Sequence, residues 1–372
     1  MLKIYQIITS IDVGGAENVA FRLVDNINQN KMNDFDFTVI ELYKSKSNYS
    51  KEKKQELLLN GVKFKTLFNG YKRLSLVFAP FSLFYLILKN KPNVIHSHTD
   101  LPDFVLSNTL RLLNLFKIYK PKIVRTIHNT ELWQTHRKVG KYVEKSFENE
   151  YVVGVSDVAL QAYKRLRYES KLSISNKHRV VFNGCSIPQK KELPFNLNPK
   201  KINVAFCGRL EQQKGIDVLI DRIKMFNKLF ANHVHFYFIG NGTYERDVDL
   251  LATEFENVFR YDSISNISEK LANFDFIIMP SRFEGLVLLS IEASYAKVPV
   301  IAAIAPGLSE TLPSDWLLKF NLDNYTELED IFKKIINNEY DLELLKSNAY
   351  TFVNNTFSLE KMVESYVEIY LK

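Results

Sequence analysis

The chain has 372 residues, 46% hydrophobic and 24% charged, too long for one ordinary α/β core and too apolar for a disordered polymer, so two globular domains are expected. Its two cysteines, Cys185 and Cys207, form no metal or redox pattern and fit a reducing cytosol. The net charge of +7 is unevenly spread: residues 1–195 carry 31 Lys and Arg against 17 Asp and Glu, net +14, whereas residues 196–372 carry 18 against 25, net −7. A basic half suits an anionic membrane surface and equally a lysine-biased solvated face. Nucleic acid is not an expected partner, because no aromatic–basic motif accompanies the charge.

In chain order, strand-like runs fall at Lys3–Thr9, Phe35–Leu42, Val62–Leu67, Asn93–Ser97, Ile123–His128, Tyr151–Val155 and Arg179–Phe182. Helical patterns lie between them, at Glu17–Asn28, Leu74–Lys89, Asp103–Leu113 and Val158–Arg165. Such β-α-β alternation predicts a parallel, doubly wound sheet. The opening run lacks a signal-peptide cleavage pattern. The apolar stretch Leu74–Leu88 is too short to span a bilayer and reads as a buried helix. Lys44, Lys46, Lys51, Lys53, Lys54, Lys63, Lys65, Lys72 and Arg73 crowd the chain ahead of it.

A turn-rich segment, Asn183–Pro199, reads as a linker. A second α/β series follows, with strands at Asn203–Cys207, His235–Ile239, Asp275–Met279 and Val300–Ala303, helices at Ile216–Phe230 and Thr243–Glu254, and helical pattern from Tyr325 to the end. The expected domains are therefore 1–183, a linker at 184–200, 201–357, and a terminal helix at 358–372. Ligands of open α/β sheets sit beyond the strands' C-terminal ends, so strand-to-helix loops should carry the site.

Those loops hold the chemistry. Pro280-Ser-Arg-Phe-Glu-Gly-Leu-Val-Leu-Leu-Ser-Ile-Glu292 follows a strand, and its second half reads as a helix from Gly285 to Tyr295. The amides of Gly285, Leu286, Val287 and Leu288 would then face an anion. Glu284 and Glu292 would lie about 12 Å apart along that helix, at roughly 1.5 Å per residue. Such a span suits a ligand with hydroxyls at both ends and a phosphate bridge between. In Cys207-Gly-Arg-Leu-Glu-Gln-Gln-Lys-Gly215, Arg209 and Lys214 can converge on a diphosphate. Gly240-Asn241-Gly242 ends another strand but lacks the third glycine of a dinucleotide fingerprint.

In the first half, Asp12-Val-Gly14-Gly15-Ala-Glu17 opens a helix where backbone can approach a ligand. His128 ends a strand, where a structural imidazole and a site imidazole are equally expected. His96 and His98 are read as pointing to opposite faces, poor geometry for one metal. Two Asp-x-Asp patterns, Asp34/Asp36 and Asp247/Asp249, are read as chance.

Together these motifs resemble the family 4 retaining glycosyltransferases. The likeness rests on Gly14-Gly15-Ala-Glu17, Val155-Ser156, Asn183-Gly184, Gly208-Arg209 to Lys214-Gly215, the Glu284–Glu292 box and the closing Phe357–Tyr366 helix. The resemblance implies a GT-B fold: two Rossmann-like domains facing across a cleft, with the C-terminal helix returning to the N-terminal domain. It implies Glu284 on sugar hydroxyls, Glu292 on ribose, Arg209, Lys214 and the amides after Gly285 on the diphosphate, and Asn241 nearby. His128 and Gly14-Gly15 would face donor sugar and acceptor. The implied reaction moves a hexose-type sugar from a UDP-sugar to a saccharide or lipid-linked acceptor of a bacterial surface polysaccharide or glycolipid. It keeps the anomeric configuration and uses no cofactor and no metal. The expected location is cytoplasmic, with the inner membrane face as the alternative setting. A nucleotide-sugar epimerase and a silent nucleotide-sugar-binding protein are the rival readings. Two departures stand out: Lys297 where the family has glycine, and one glycine in Pro306-Gly-Leu-Ser-Glu310 where two are usual.

Overall fold

The computed structural model describes residues 1–11, 15–29, 34–45, 47–70, 72–98, 100–133, 136–148 and 150–372. Within it the chain forms two compact units, Met1–Gly184 with Leu359–Lys372, and Cys185–Ser358.

Unit 1 is built on a seven-stranded sheet of β1 (Leu2–Ile8), β2 (Phe35–Tyr43), β3 (Lys63–Phe68), β4 (Val94–His98), β5 (Lys122–Ile127), β6 (Tyr151–Gly154) and β7 (His178–Val180). All pairings are parallel, in the order β3-β2-β1-β4-β5-β6-β7. Its helices are α1 (Gly15–Gln29), α2 (Asn48–Leu59), α3 (Lys72–Asn90), α4 (Asp100–Leu115), α5 (Arg137–Glu144) and α6 (Asp157–Glu169). Ser156 caps α6 by accepting from the Ala159 amide at 3.1 Å, which satisfies one of the helix's orphan donors.

Unit 2 carries β8 (Ile202–Cys207), β9 (Val234–Ile239), β10 (Val258–Tyr261), β11 (Phe276–Met279), β12 (Val300–Ala303) and β13 (Lys319–Phe320), parallel in the order β10-β9-β8-β11-β12-β13. Around it lie α7 (Ile216–Phe230), α8 (Glu245–Glu254), α9 (Leu288–Tyr295), α10 (Tyr325–Ile336) and α11 (Leu342–Thr356). The last helix, α12 (Leu359–Leu371), belongs to unit 1. Lys122 donates to the Ile369 carbonyl there, and Arg179 pairs with Glu368 at 2.8 Å. Both sheets thus have the doubly wound order 3-2-1-4-5-6, to which unit 1 adds a seventh strand at the edge, with a switch point between β1 and β4 and another between β8 and β11.

Three expectations change. The helix after β11 begins at Leu288, not Gly285, so Glu284 and Glu292 do not share it and the helical-rise spacing does not apply. The α3 stretch is not a buried helix: Leu74, Val77, Phe78, Phe81, Tyr85 and Leu88 form an exposed stripe. Its buried side is Ala79, Leu83 and Ile87, an i, i+4, i+8 line that covers only one face of the cylinder. His96 and His98 share a face, their ring centroids 4.1 Å apart, because residues two apart on a strand point the same way.

Candidate active site

In unit 2 the two loops at the switch point are stitched together. The loop after β8 ends in a single tight turn, Gln212–Lys214, and Gly215 follows at φ +70°. A Cβ there would lie 1.8 Å from the Pro280 carbonyl oxygen, so only glycine lets this loop lie against the strand end of β11. The Arg282 amide donates to the Gln213 carbonyl at 2.9 Å. Its guanidinium donates to the Gln212 carbonyl at 2.6 Å and to both Asp217 oxygens at 2.7 Å. Gln213 returns a bond to the Phe283 carbonyl at 3.2 Å.

The result is a pairing across the switch point: Lys214 Nζ lies 2.5 Å from Glu284 Oε1. Glu284 is held from behind as well, its amide donating to the Pro306 carbonyl at 3.0 Å. Gly307, at φ +75°, sits where a Cβ would come within 2.1 Å of the Glu284 carbonyl oxygen. The single glycine of that loop is therefore a packing requirement of the glutamate. Glu284 and Glu292 are both buried, Glu292 on α9 and Glu284 four residues before it.

Arg209 is not in that pair; it donates to Gln213 Oε1 at 3.3 Å from an exposed position. Gly285 and Leu286 precede α9, Val287 is its N-cap and Leu288 its first residue. Ser290 N–H already donates to the Val287 carbonyl at 3.2 Å. Asn241 joins loops: its amide donates to Asp262 at 2.8 Å, its side-chain oxygen accepts from the Ser263 amide at 2.9 Å, and its carbonyl accepts from Leu210. Glu211 likewise accepts from Thr243 N–H and Oγ1 at 3.1 and 2.8 Å.

In unit 1, Gly14 lies outside the described residues and Gly15 opens α1. His128 follows β5 and belongs to a polar chain beneath the strand ends. His128 Nε2 is 3.1 Å from His98 Nδ1, and His98 Nε2 is 2.8 Å from Gln6 Oε1. Gln6 Nε2 donates to the Tyr370 hydroxyl at 2.8 Å. Tyr370 lies 2.7 Å from His96 Nδ1, whose Nε2 is 2.6 Å from Thr126 Oγ1. Burial disfavours the imidazolium in all three rings, pushing His96 and His98 well below the usual histidine range and His128 down to about 3. All three are therefore neutral near pH 7.

With this geometry in view, two family models match the chain: one described as Glycosyl transferases group 1 over residues 201–338, the other as Glycosyltransferase Family 4 over residues 13–185. An uncharacterized 41.2 kDa protein in the cps region of Klebsiella pneumoniae is 30% identical, across 78% of this chain and 82% of that one. The chain belongs to the group 1 glycosyltransferases. A second relative, the O-antigen biosynthesis glycosyltransferase WclY of Escherichia coli, is 23% identical over 75% of this chain and 78% of its own. Among solved structures, Anabaena Alr3699/HepE in complex with UDP-glucose superposes with a TM-score of 0.77 at 16% identity, covering 99% of both chains. The glycosyltransferase thus has the GT-B fold.

Sequence reading missed the residues that aim the others. Arg282 and Asp217 lock the two loops of unit 2, and Tyr370, Gln6 and His98 form the chain of hydrogen bonds that ends on His128. Arg282 stands two residues before Glu284, inside a motif already singled out, and was legible as a candidate on position alone. Nothing local marks Gln6 or Tyr370, which lie 364 positions apart.

Proposed function

We propose that this glycosyltransferase moves a hexose-type sugar from a UDP-sugar to a saccharide or lipid-linked acceptor of a surface polysaccharide, with retention of anomeric configuration. The observation that carries the reading is the Lys214–Glu284 pair at the switch point of the six-stranded sheet, where doubly wound folds take their ligands. Without donor, the ammonium neutralises the carboxylate. An arriving diphosphate competes for the ammonium, and Glu284 is released to accept hydrogen bonds from sugar hydroxyls. Lys214 and Arg209 then stabilise the charge that grows on the leaving diphosphate, work a divalent ion performs elsewhere. Glu292 takes the ribose hydroxyls, and the leaving phosphate accepts the acceptor's proton on the face it departs from. The cps and O-antigen settings of the relatives support the polysaccharide assignment. The UDP-glucose held by HepE supports the donor class.

A donor panel tests this. A UDP-sugar should raise the melting temperature, as any ligand of the native state does, where GDP- and ADP-sugars do not. Glu284→Ala should lower turnover about a hundred- to thousandfold while UDP still binds, and turnover should survive EDTA. Unchanged turnover in the variant removes Glu284 from the site. Loss in EDTA restored by manganese puts a metal in place of the two cations.

The membrane partner of this reading is an anionic lipid surface at α3. Stacking of Phe68 on Phe78, centroids 5.6 Å apart, and contact of Phe84 with Phe116 at 5.9 Å extend the exposed stripe onto β3 and the end of α4. Exposed Lys63, Lys65, Arg73, Lys89, Lys91 and Lys117 flank it, the pairing of apolar face and basic rim that binds anionic interfaces. No helix among the described residues is long and apolar enough to cross a membrane. Phe78→Ser/Phe81→Ser should cut sedimentation with phosphatidylglycerol vesicles at least fivefold; equal sedimentation rejects this surface.

A further inference from the structure

The hydrogen-bond chain of unit 1 has a direction. In a neutral imidazole one nitrogen donates and the other accepts. Gln6 turns its carbonyl oxygen toward His98 Nε2 and a carbonyl only accepts, so His98 Nε2 carries a proton and His98 Nδ1 is bare. The atom facing that bare nitrogen, His128 Nε2, must donate. The other end follows from the same orientation of the Gln6 amide. Gln6 Nε2 donates to Tyr370, leaving the phenolic hydrogen for His96 Nδ1, and His96 Nε2–H then donates to Thr126. One link cannot reverse alone, since two protons or two lone pairs would meet in a buried space. Only a turn of the Gln6 amide that reverses every link together is also self-consistent.

We propose that Gln6, His98 and Tyr370 are positioning residues that hold His128 with its proton on Nε2, leaving Nδ1 to accept a hydrogen bond from a substrate hydroxyl. The proposal deepens the reading of His128 as a sugar-facing residue and rests on it for the hydroxyl. Nδ1 has no hydrogen-bond partner among the described residues, whereas Nε2 is engaged. Burial keeps the three rings neutral, so the arrangement persists through the physiological range. A site whose imidazole must accept loses its substrate bond when the ring adopts the other tautomer, just as a buried acceptor loses when its donor is removed. Through Tyr370 the closing helix α12 sets the hydrogen-bonding sense of a side chain at the far end of the chain of contacts.

The test uses the full chain labelled with 15N-histidine, whose two-bond proton–nitrogen correlations separate the tautomers. The expected result is His128 protonated at Nε2 and bare at Nδ1 between pH 6 and 8. The opposite tautomer, or an imidazolium, overturns the proposal without touching the transferase reading, which fails separately if the wild type transfers from no UDP-sugar. Tyr370→Phe should mix the His128 tautomers and lower kcat/KM about tenfold, with little change in melting temperature. Lost activity with the tautomer intact marks Tyr370 as merely structural and sinks its role. Gln6→Met carries the same expectation should Tyr370→Phe fail to fold.

Discussion

Unit 1 buries a network of charged and titratable groups beneath its sheet, whereas unit 2 packs aromatic and aliphatic side chains against its own. Unit 2 carries Arg209, Lys214 and Glu284 on strand-to-helix loops, with Glu292 on α9. In unit 1 the Arg125 guanidinium donates to Asp103 at 2.7 and 3.0 Å and to Glu144 at 2.6 and 3.1 Å. Arg167 reaches the same glutamate at 3.3 Å and its carbonyl at 2.7 Å. That network fastens α4, α5 and α6 to β5, and all four side chains are buried. Unit 2 instead clusters Phe226 and Phe230 of α7 with Phe236 of β9 and Phe332 of α10, their paired ring centroids 5.3–6.0 Å apart. The lesson is one of sensitivity. Apolar burial is indifferent to pH, but a polar interior is stable only while every group keeps its partner and its protonation state.

Acid should break the comparison open most widely. His96, His98 and His128 have folded pKa values below the unfolded value of about 6.5, so unfolding takes up protons below it. Their contribution is fully present above pH 6.5 and is lost as pH falls toward the folded values. Three such rings cost unit 1 about 6 kcal/mol at most between pH 8 and pH 5. Asp100 offsets this in part, because burial raises its carboxyl to about 6 and the folded state gains a proton over the same range. Unit 2 has a single shifted histidine among the described residues, His235, which is partly buried, as His128 is. Unit 1 should therefore melt first at pH 5, as two separated transitions read by calorimetry or by hydrogen exchange. Coincident melting at both pH values would mean the rings are not buried neutral.

Arg125→Met sharpens the same contrast at neutral pH. Leaving Asp103 and Glu144 buried without their cation should cost about 3–5 kcal/mol, measured by denaturant unfolding of unit 1's amides. The smallest effect belongs to unit 2. Lys297 occupies φ +56°, the left-handed conformation that costs a side-chain-bearing residue roughly 1–2 kcal/mol. Lys297→Gly, which removes the side chain from that conformation, should gain about 1 kcal/mol less the entropy glycine adds to the unfolded chain. A lower melting temperature would show that the Lys297 contact with Tyr350, 5.6 Å from ammonium to ring centroid, matters more than the backbone.

Much of this is legible in the amino-acid sequence. The seven expected strands of the first half fall within two residues of β1 to β7 at their starts and ends, because buried parallel strands are short apolar runs bounded by turn residues. The weakly apolar Val258–Tyr261, and Lys319–Phe320 with only two residues, escaped notice for want of such a run. Arg209, Lys214 and Glu284 stand out by their place in strand-to-helix loops, where strand order in this fold lets a ligand be met. Glu292 stands out in the helical pattern that follows, and the roles of all four come from the family resemblance.

The amino-acid sequence by itself determined the alternation of strands and helices, the doubly wound class and the ends of the strongly apolar strands, all of which follow from local periodicity and turn chemistry. Tertiary structure alone decided that Lys214 pairs with Glu284 70 positions away, that α3 turns an apolar stripe outward, and that Tyr370 closes the chain of hydrogen bonds leading to His128. These are contacts between distant segments. A pattern with a period of two or 3.6 residues states which face is apolar, but not what will be packed against it.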